Sequence, residues 1–199
     1  VIYPYYMLSI ADKEKGAVRS VRGGDGLHTF TSNLVQVFRM RQTILGKLDL
    51  QKTVYFMKRL GVKVPFDFRW NILGPYSYEL AHYCSYLEAE GLLIYTGTYS
   101  VDEEKATSYV PSLSREMSSR LTRFFQRMRR ICEENGYDRV RFIECAASLD
   151  FLRQNVLNVG VDRDSIFGLL GRLKPDRTGM FQRIRSEVWD FLESEGLIE

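Results

Sequence analysis

From Thr31 onward apolar residues recur at helical spacing, with Leu34, Val37, Phe38, Ile44 and Leu45 following a Thr/Ser start. A second helix is predicted with Asp49 as its cap, Leu50, Val54, Met57 and Leu60 on one face, and Gly61 as its stop. The period then drops to two. Phe66, Phe68, Trp70 and Ile72 alternate with Asp67, Arg69 and Asn71, the pattern of a half-buried strand. Gly74-Pro75 turns the chain, Ser77 is placed to cap a third helix carrying Leu80, Cys84 and Leu87, and Gly91 ends it. Leu92–Tyr99 and Thr107–Val110 are expected to form a hairpin around an acidic loop. Helix, helix, short strand, helix, hairpin is the element order of a winged helix.

Beyond residue 112 the pattern is helical throughout. Met117, Leu121, Phe124, Met128 and Ile131 step by four, three, four and three, the seam of one helix packed along another. Val140, Ile143, Ala147 and Phe151 outline the next helix. Ile166, Leu169, Leu170 and Leu173 outline a shorter one behind Asp162, and Phe181, Ile184, Val188 and Phe191 the last. The expected fold class is therefore mainly α. It comprises a flexible lead-in over residues 1–30, a winged-helix-like module over 31–112, and a helical C-terminal region over 113–199 packed on that module through the Met117–Ile131 seam. Within the lead-in, Gly23-Gly24-Asp25-Gly26 lacks both the preceding strand and the G-K-[ST] ending of a phosphate loop, and is read as a mobile loop. Residues 86–93 (YLEAEGLL) and 191–198 (FLESEGLI) are alike, as expected either of a duplication or of shared helix-stop chemistry.

Four segments carry a family resemblance: L-Q-K-T-V-Y-F-M-K-R-L-G (50–61), F-D-F-R-W (66–70), L-G-P-Y-S-Y-E-L (73–80) and L-E-A-E-G-L-L (87–93). In that order and spacing they resemble the YwgA family and are more distantly similar to the Panacea antitoxin domain of SocA-like proteins. The likeness covers about Leu50 to Ile94, roughly a quarter of the chain. It implies a non-enzymatic binding protein with toxin-neutralising or adaptor roles.

Charge modifies the winged-helix reading. Net charge is +3, but no Lys or Arg lies between Arg69 and Lys105, where Glu79, Glu88, Glu90, Asp102, Glu103 and Glu104 are all acidic. With those six set aside, the rest of the chain has nine more cations than acids. DNA affinity rests on cations meeting phosphates, so the third helix is ill-suited to a DNA groove. Arg120, Arg123, Arg127 and Arg130 instead line one face of the first C-terminal helix, with Arg129 nearby, and Arg172, Lys174, Arg177, Arg183 and Arg185 surround the last inter-helix turn. The arginine face suits a phosphate backbone, an acidic partner, or simply solvent and the acidic module of the same chain.

Candidate chemistry is sparse. His28 and His82 are the two histidines, and His82 diverges from Cys84 on its helix, so neither a metal pair nor a nucleophile–base pair is expected. No nucleophile elbow, Walker loop or zinc-protease motif occurs, and no cofactor or metal is expected. Cys84, Cys132 and Cys145 are scattered and odd in number, as suits reduced thiols and a cytoplasmic protein. No apolar run approaches a bilayer span of about 20 residues, and VIYPYYMLSI lacks the basic flank and cleavage site of a signal peptide. The first residue is Val1 rather than Met, as expected if the start is trimmed or falls at Met7. The preferred reading is a regulator that binds a protein partner through Gly74, Pro75, Tyr76, Ser77, Tyr78 and Glu79. Tyr76 and Tyr78 are its expected exposed anchors. The alternative is a DNA-associated regulator using Arg120, Arg123, Arg127 and Arg130. A homodimer is compatible with either.

Overall fold

The computed structural model describes residues 24–41, 43–155 and 162–198. Among them are seven helices, α1 (Gly24–Arg41), α2 (Gly46–Arg59), α3 (Tyr78–Ala89), α4 (Arg115–Asn135), α5 (Arg139–Asn155), α6 (Arg163–Leu173) and α7 (Thr178–Ser194). Two short antiparallel ladders join them: β1 (Arg69–Asn71) with β2 (Gly74–Tyr76), and β3 (Leu93–Tyr95) with β4 (Tyr99–Val101). The protein is mainly α, with a short hairpin.

Helix α1 begins seven residues before the expected Thr31, so the lead-in is helical from Gly24; residues 1–23 lie outside the described part. The expected start, Thr31, is instead inside the helix, its hydroxyl bonded back to the preceding turn. Thr31 Oγ1 donates to Leu27 O at 2.8 Å and lies 2.6 Å from the Tyr83 hydroxyl, while Phe30 and Leu34 continue the apolar stripe into the core. Asp49 is likewise not the cap of α2. It sits one turn inside, where its Oδ2 accepts from Leu45 N–H at 2.8 Å and its carboxylate pairs with buried Arg41. It satisfies the helix start from within rather than from in front.

The expected Phe66–Ile72 strand shrinks to Arg69–Asn71, because among the described residues it pairs with no segment but the one immediately after it. Ile72 becomes the 72% exposed tip of the turn, and Phe66 goes into the core. The hairpin also shifts. β3 and β4 turn through Thr96, Gly97 and Thr98, whereas Asp102 opens a 3-10 turn by accepting from Lys105 N–H at 3.0 Å. One further bridge meets this hairpin at Ile44, between α1 and α2: Tyr99 N–H donates to Ile44 O at 2.8 Å.

A single hydrophobic core runs from Phe30 to Ile198. At its centre lie α2 and α5, each buried over nine consecutive residues, Asp49–Met57 and Phe142–Asp150. α5, rather than α4, is the principal neighbour of α2. The α4 seam is present, with Leu121, Phe124 and Met128 buried. Phe124 stacks obliquely on Phe56 of α2 and Phe191 of α7, with centroids 4.9 and 5.1 Å apart. The repeated Glu-x-Glu-Gly-Leu exits of α3 and α7 share one geometry. Gly91 and Gly196 adopt φ of +71° and +67°, and the next residue bonds back five positions, Leu92 to Leu87 and Leu197 to Leu192. Helix α2, which is not part of that repeat, stops the same way at Gly61, with Val62 bonding to Met57. Helix-stop chemistry therefore accounts for the repeat.

Candidate protein-binding face

The segment preceding α3 is held from the inside. Gln51 donates from Nε2 to Ser77 O at 2.9 Å and accepts Ser77 N–H at 3.0 Å, and Lys52 Nζ donates to Pro75 O at 2.6 Å. Thus the Leu-Gln-Lys and Gly-Pro-Tyr-Ser stretches, distant in sequence, are one structural unit. Gly74 closes it against α5. At φ +84° an added Cβ would lie 2.4 Å from Ser148 Oγ and 3.6 Å from Lys174 Nζ.

This arrangement divides the six expected partner-binding residues. Gly74, Pro75 and Ser77 are buried and unavailable to a partner; Ser77 caps α3, accepting from Leu80 N–H at 3.3 Å. Tyr76 is half-buried, its ring edge-on to Tyr78 at 5.0 Å, and burial raises its phenol pKa. Tyr78 is 62% exposed, and Glu79 is exposed beside it. Helical spacing extends that surface along α3 through His82 to Tyr86, 54% exposed, whose ring stacks on Tyr83 at 5.9 Å. Glu79 and Glu90 flank this aromatic stripe, and no cation from its own stretch interrupts it.

The arginine face is mostly spoken for. Arg120 donates to Leu60 O at 3.2 Å, and Arg127 pairs at 2.9 Å with Glu195, whose side chain is 4% exposed. Arg129 and Arg130 pair along the helix with Glu133 and Glu134 at 2.7 and 3.9 Å. Arg123 is exposed and makes no ion pair with a described residue. Two of the four thus fasten α4 to α2 and to the exit of α7, rather than standing free for phosphate.

The polar interior between α2 and α5 went unremarked in the sequence. Lys52 and Lys174 are both buried near Glu144, which accepts from Lys174 at 2.8 Å and pairs with Arg141 at 3.1 Å. Burial, then the charge of Lys174, lowers the Lys52 pKa to about 7, with Glu144 opposing. A second hub lies nearby. Asp150 accepts from the Tyr55 hydroxyl and, through both oxygens, from Arg59 at 2.7 and 3.0 Å, while Arg59 also donates to Leu197 O at 3.1 Å. The available signal was the presence of Lys52, Glu144 and Asp150 inside otherwise apolar runs. The three cysteines are buried thiols. Desolvation pushes Cys84 up to about 12 and Cys132 up to about 11, which leaves little thiolate for chemistry. No described helix is long and apolar enough to cross a membrane.

No protein-family model matches the chain, and no curated protein or solved structure matches it either.

Proposed function

We propose that the chain is a non-enzymatic regulatory adaptor, antitoxin-like in manner, whose α3 face binds a protein partner with a basic surface. The observation that carries this reading is the exposed Tyr78–His82–Tyr86 stripe on a helix whose own charged residues, Glu79 and Glu88, are acidic, with Lys105 spent on the Glu90 carbonyl at its far end. Aromatic anchors supply much of the energy of protein interfaces. Acidic flanks steer a cationic partner onto them and repel nucleic acid. The motif resemblance to YwgA and Panacea proteins leans the same way, though fold-level likeness alone does not fix a role. The burial of Gly74, Pro75 and Ser77 moves the contact surface from the turn to the helix it starts.

The test is affinity purification of the tagged full-length chain from its host, with and without nuclease, alongside the Tyr78→Ser/Tyr86→Ser double variant. A stoichiometric protein that survives nuclease and is lost from the variant supports the proposal. A partner retained by a folded double variant, or one released by nuclease, overturns it. The DNA-associated alternative through Arg120, Arg123, Arg127 and Arg130 is disfavoured, because most of these guanidinium groups already have partners within the chain.

A further inference from the structure

A cleft of about 330 Å3 opens on the far side of α2, between its last turns, the Asp67–Phe68 segment and the end of α5. Its volume falls at the lower end of ligand pockets, which span roughly 300–1,000 Å3. That suits a molecule of one or two rings rather than a nucleotide cofactor. The floor is aromatic: the Tyr55 ring lies 5.4 Å from Phe68 and 6.4 Å from Phe151.

The polar groups at the lip stand as adjacent charge pairs. Lys58 and Arg59 arrive together on α2. Asp150 and Leu197 O occupy Nε and Nη2 of Arg59, so Nη1 makes no hydrogen bond to a described residue. Lys58 Nζ donates to Phe66 O at 2.6 Å and to Asp67 at 3.0 Å, which leaves one of its three donors unused. Beside them stand acceptors. Asp67 has a side chain 88% exposed, and Asn155, which donates one amide N–H to Phe151 O at 2.7 Å, makes no hydrogen bond to a described residue through Oδ1. The two cations are balanced by two carboxylates, Asp67 and Asp150. A bare anion or bare cation would therefore gain little net attraction, whereas a ligand carrying both charges close together would lie antiparallel to the adjacent Lys58–Asp67 pair, meeting a donor and an acceptor at once.

We infer that this cleft binds a free aromatic α-amino acid. Its ring lies on the Tyr55–Phe68–Phe151 floor. Its carboxylate faces Arg59 Nη1 and Lys58, and its ammonium faces Asp67 and Asn155 Oδ1. The site is separate from the α3 face and does not depend on it.

The experiment is a two-dimensional 1H–15N titration of the full chain with L-phenylalanine, with L-alanine and N-acetyl-L-phenylalanine amide as comparison probes. Saturable shifts are expected at residues 55–59, 67–68 and 151–155. The uncharged analogue should bind at least about tenfold more weakly, as loss of a charge-assisted hydrogen bond implies, and alanine should leave these residues unshifted. Lys58→Met and Asp67→Asn should each weaken phenylalanine binding about tenfold; the second replaces a largely exposed side chain, so the fold is retained. The inference is overturned if no saturable shift appears at about 10 mM ligand, tenfold above a Kd of about 1 mM. It is equally overturned if the uncharged analogue binds as well as phenylalanine, which would make the cleft a slot for a ring alone. Unchanged affinity in both folded variants would also overturn it.

Discussion

Lys52 Nζ lies 2.6 Å from the carbonyl oxygen of Pro75, so a cation on the central helix holds the turn from which α3 departs. The ammonium is wholly buried and has a second buried cation, Lys174, for company. Its pKa is lowered to about 7 in the folded chain, against about 10.4 when unfolded. Between those values the unfolded state binds more protons, so this group makes stability rise with pH from about 7 upward. Buried thiols act in the opposite sense. The pKa values of Cys84 and Cys132 are raised when folded, so ionisation of the unfolded thiols erodes stability above about pH 8.5. Urea midpoints should therefore climb from pH 7 to about 8.5 and then level or fall. In Lys52→Met the climb should be reduced by up to about 1.4 kcal/mol per pH unit, the most a single proton can contribute.

Gly74→Ala should destabilise the chain by about 1–3 kcal/mol, combining φ +84° strain with a Cβ 2.4 Å from Ser148 Oγ. Ser148→Ala removes that oxygen, and the next nearest atom, Ser148 Cβ, stands at 3.6 Å. A double-mutant cycle read by chemical denaturation should show a coupling of about 0.5 kcal/mol or more, with the double variant recovering part of the loss. Additive effects would mean that the two residues do not meet.

Asp150→Asn leaves Arg59 with a neutral partner at a side chain that is itself fully buried. Removing one member of a buried pair typically costs about 3–5 kcal/mol; Arg59 is 27% exposed, so the lower end is expected here. A thermal midpoint unchanged from wild type would contradict the hub described between Tyr55, Arg59 and Asp150.

Within the arginine face the variants should separate. Arg127→Ala strands Glu195, whose side chain is 4% exposed, and should cost about 1 kcal/mol despite the partial exposure of the arginine. Arg123→Ala should stay within about 0.5 kcal/mol of wild type, as surface changes do. Equal losses from both would show that the face acts as one ridge rather than as a set of separate fasteners.

Much of the helical layout was legible in the sequence, because the 3.6-residue period of the α4 and α7 apolar stripes survives folding, as do the stops at Gly61 and Gly91. The central pair was harder to read. On α2 and α5 the polar residues are as buried as the apolar ones, so Gln51, Lys52, Glu144 and Asp150 blur the contrast on which periodicity depends. The short strands were misplaced for another reason. A single bridge at Ile44 leaves no alternation to detect, and the ladder of Arg69–Asn71 is shorter than the alternating run around it. Of the expected partner-binding residues, Tyr78 and Glu79 are outside because they begin the exposed side of a helix. Gly74 and Pro75 are inside because α5, invisible from the local sequence, lies over them.

The bond from Arg59 to Leu197 O spans 138 positions, tying α2 to the exit of α7. During synthesis α2 leaves the ribosome well before the segment that completes its surroundings. Until Phe191–Ile198 has emerged, the nascent chain holds its central helix without its final cover. A stall or a premature stop codon ahead of Leu197 would thus leave Arg59 without that acceptor and the interior open to chaperones and proteases.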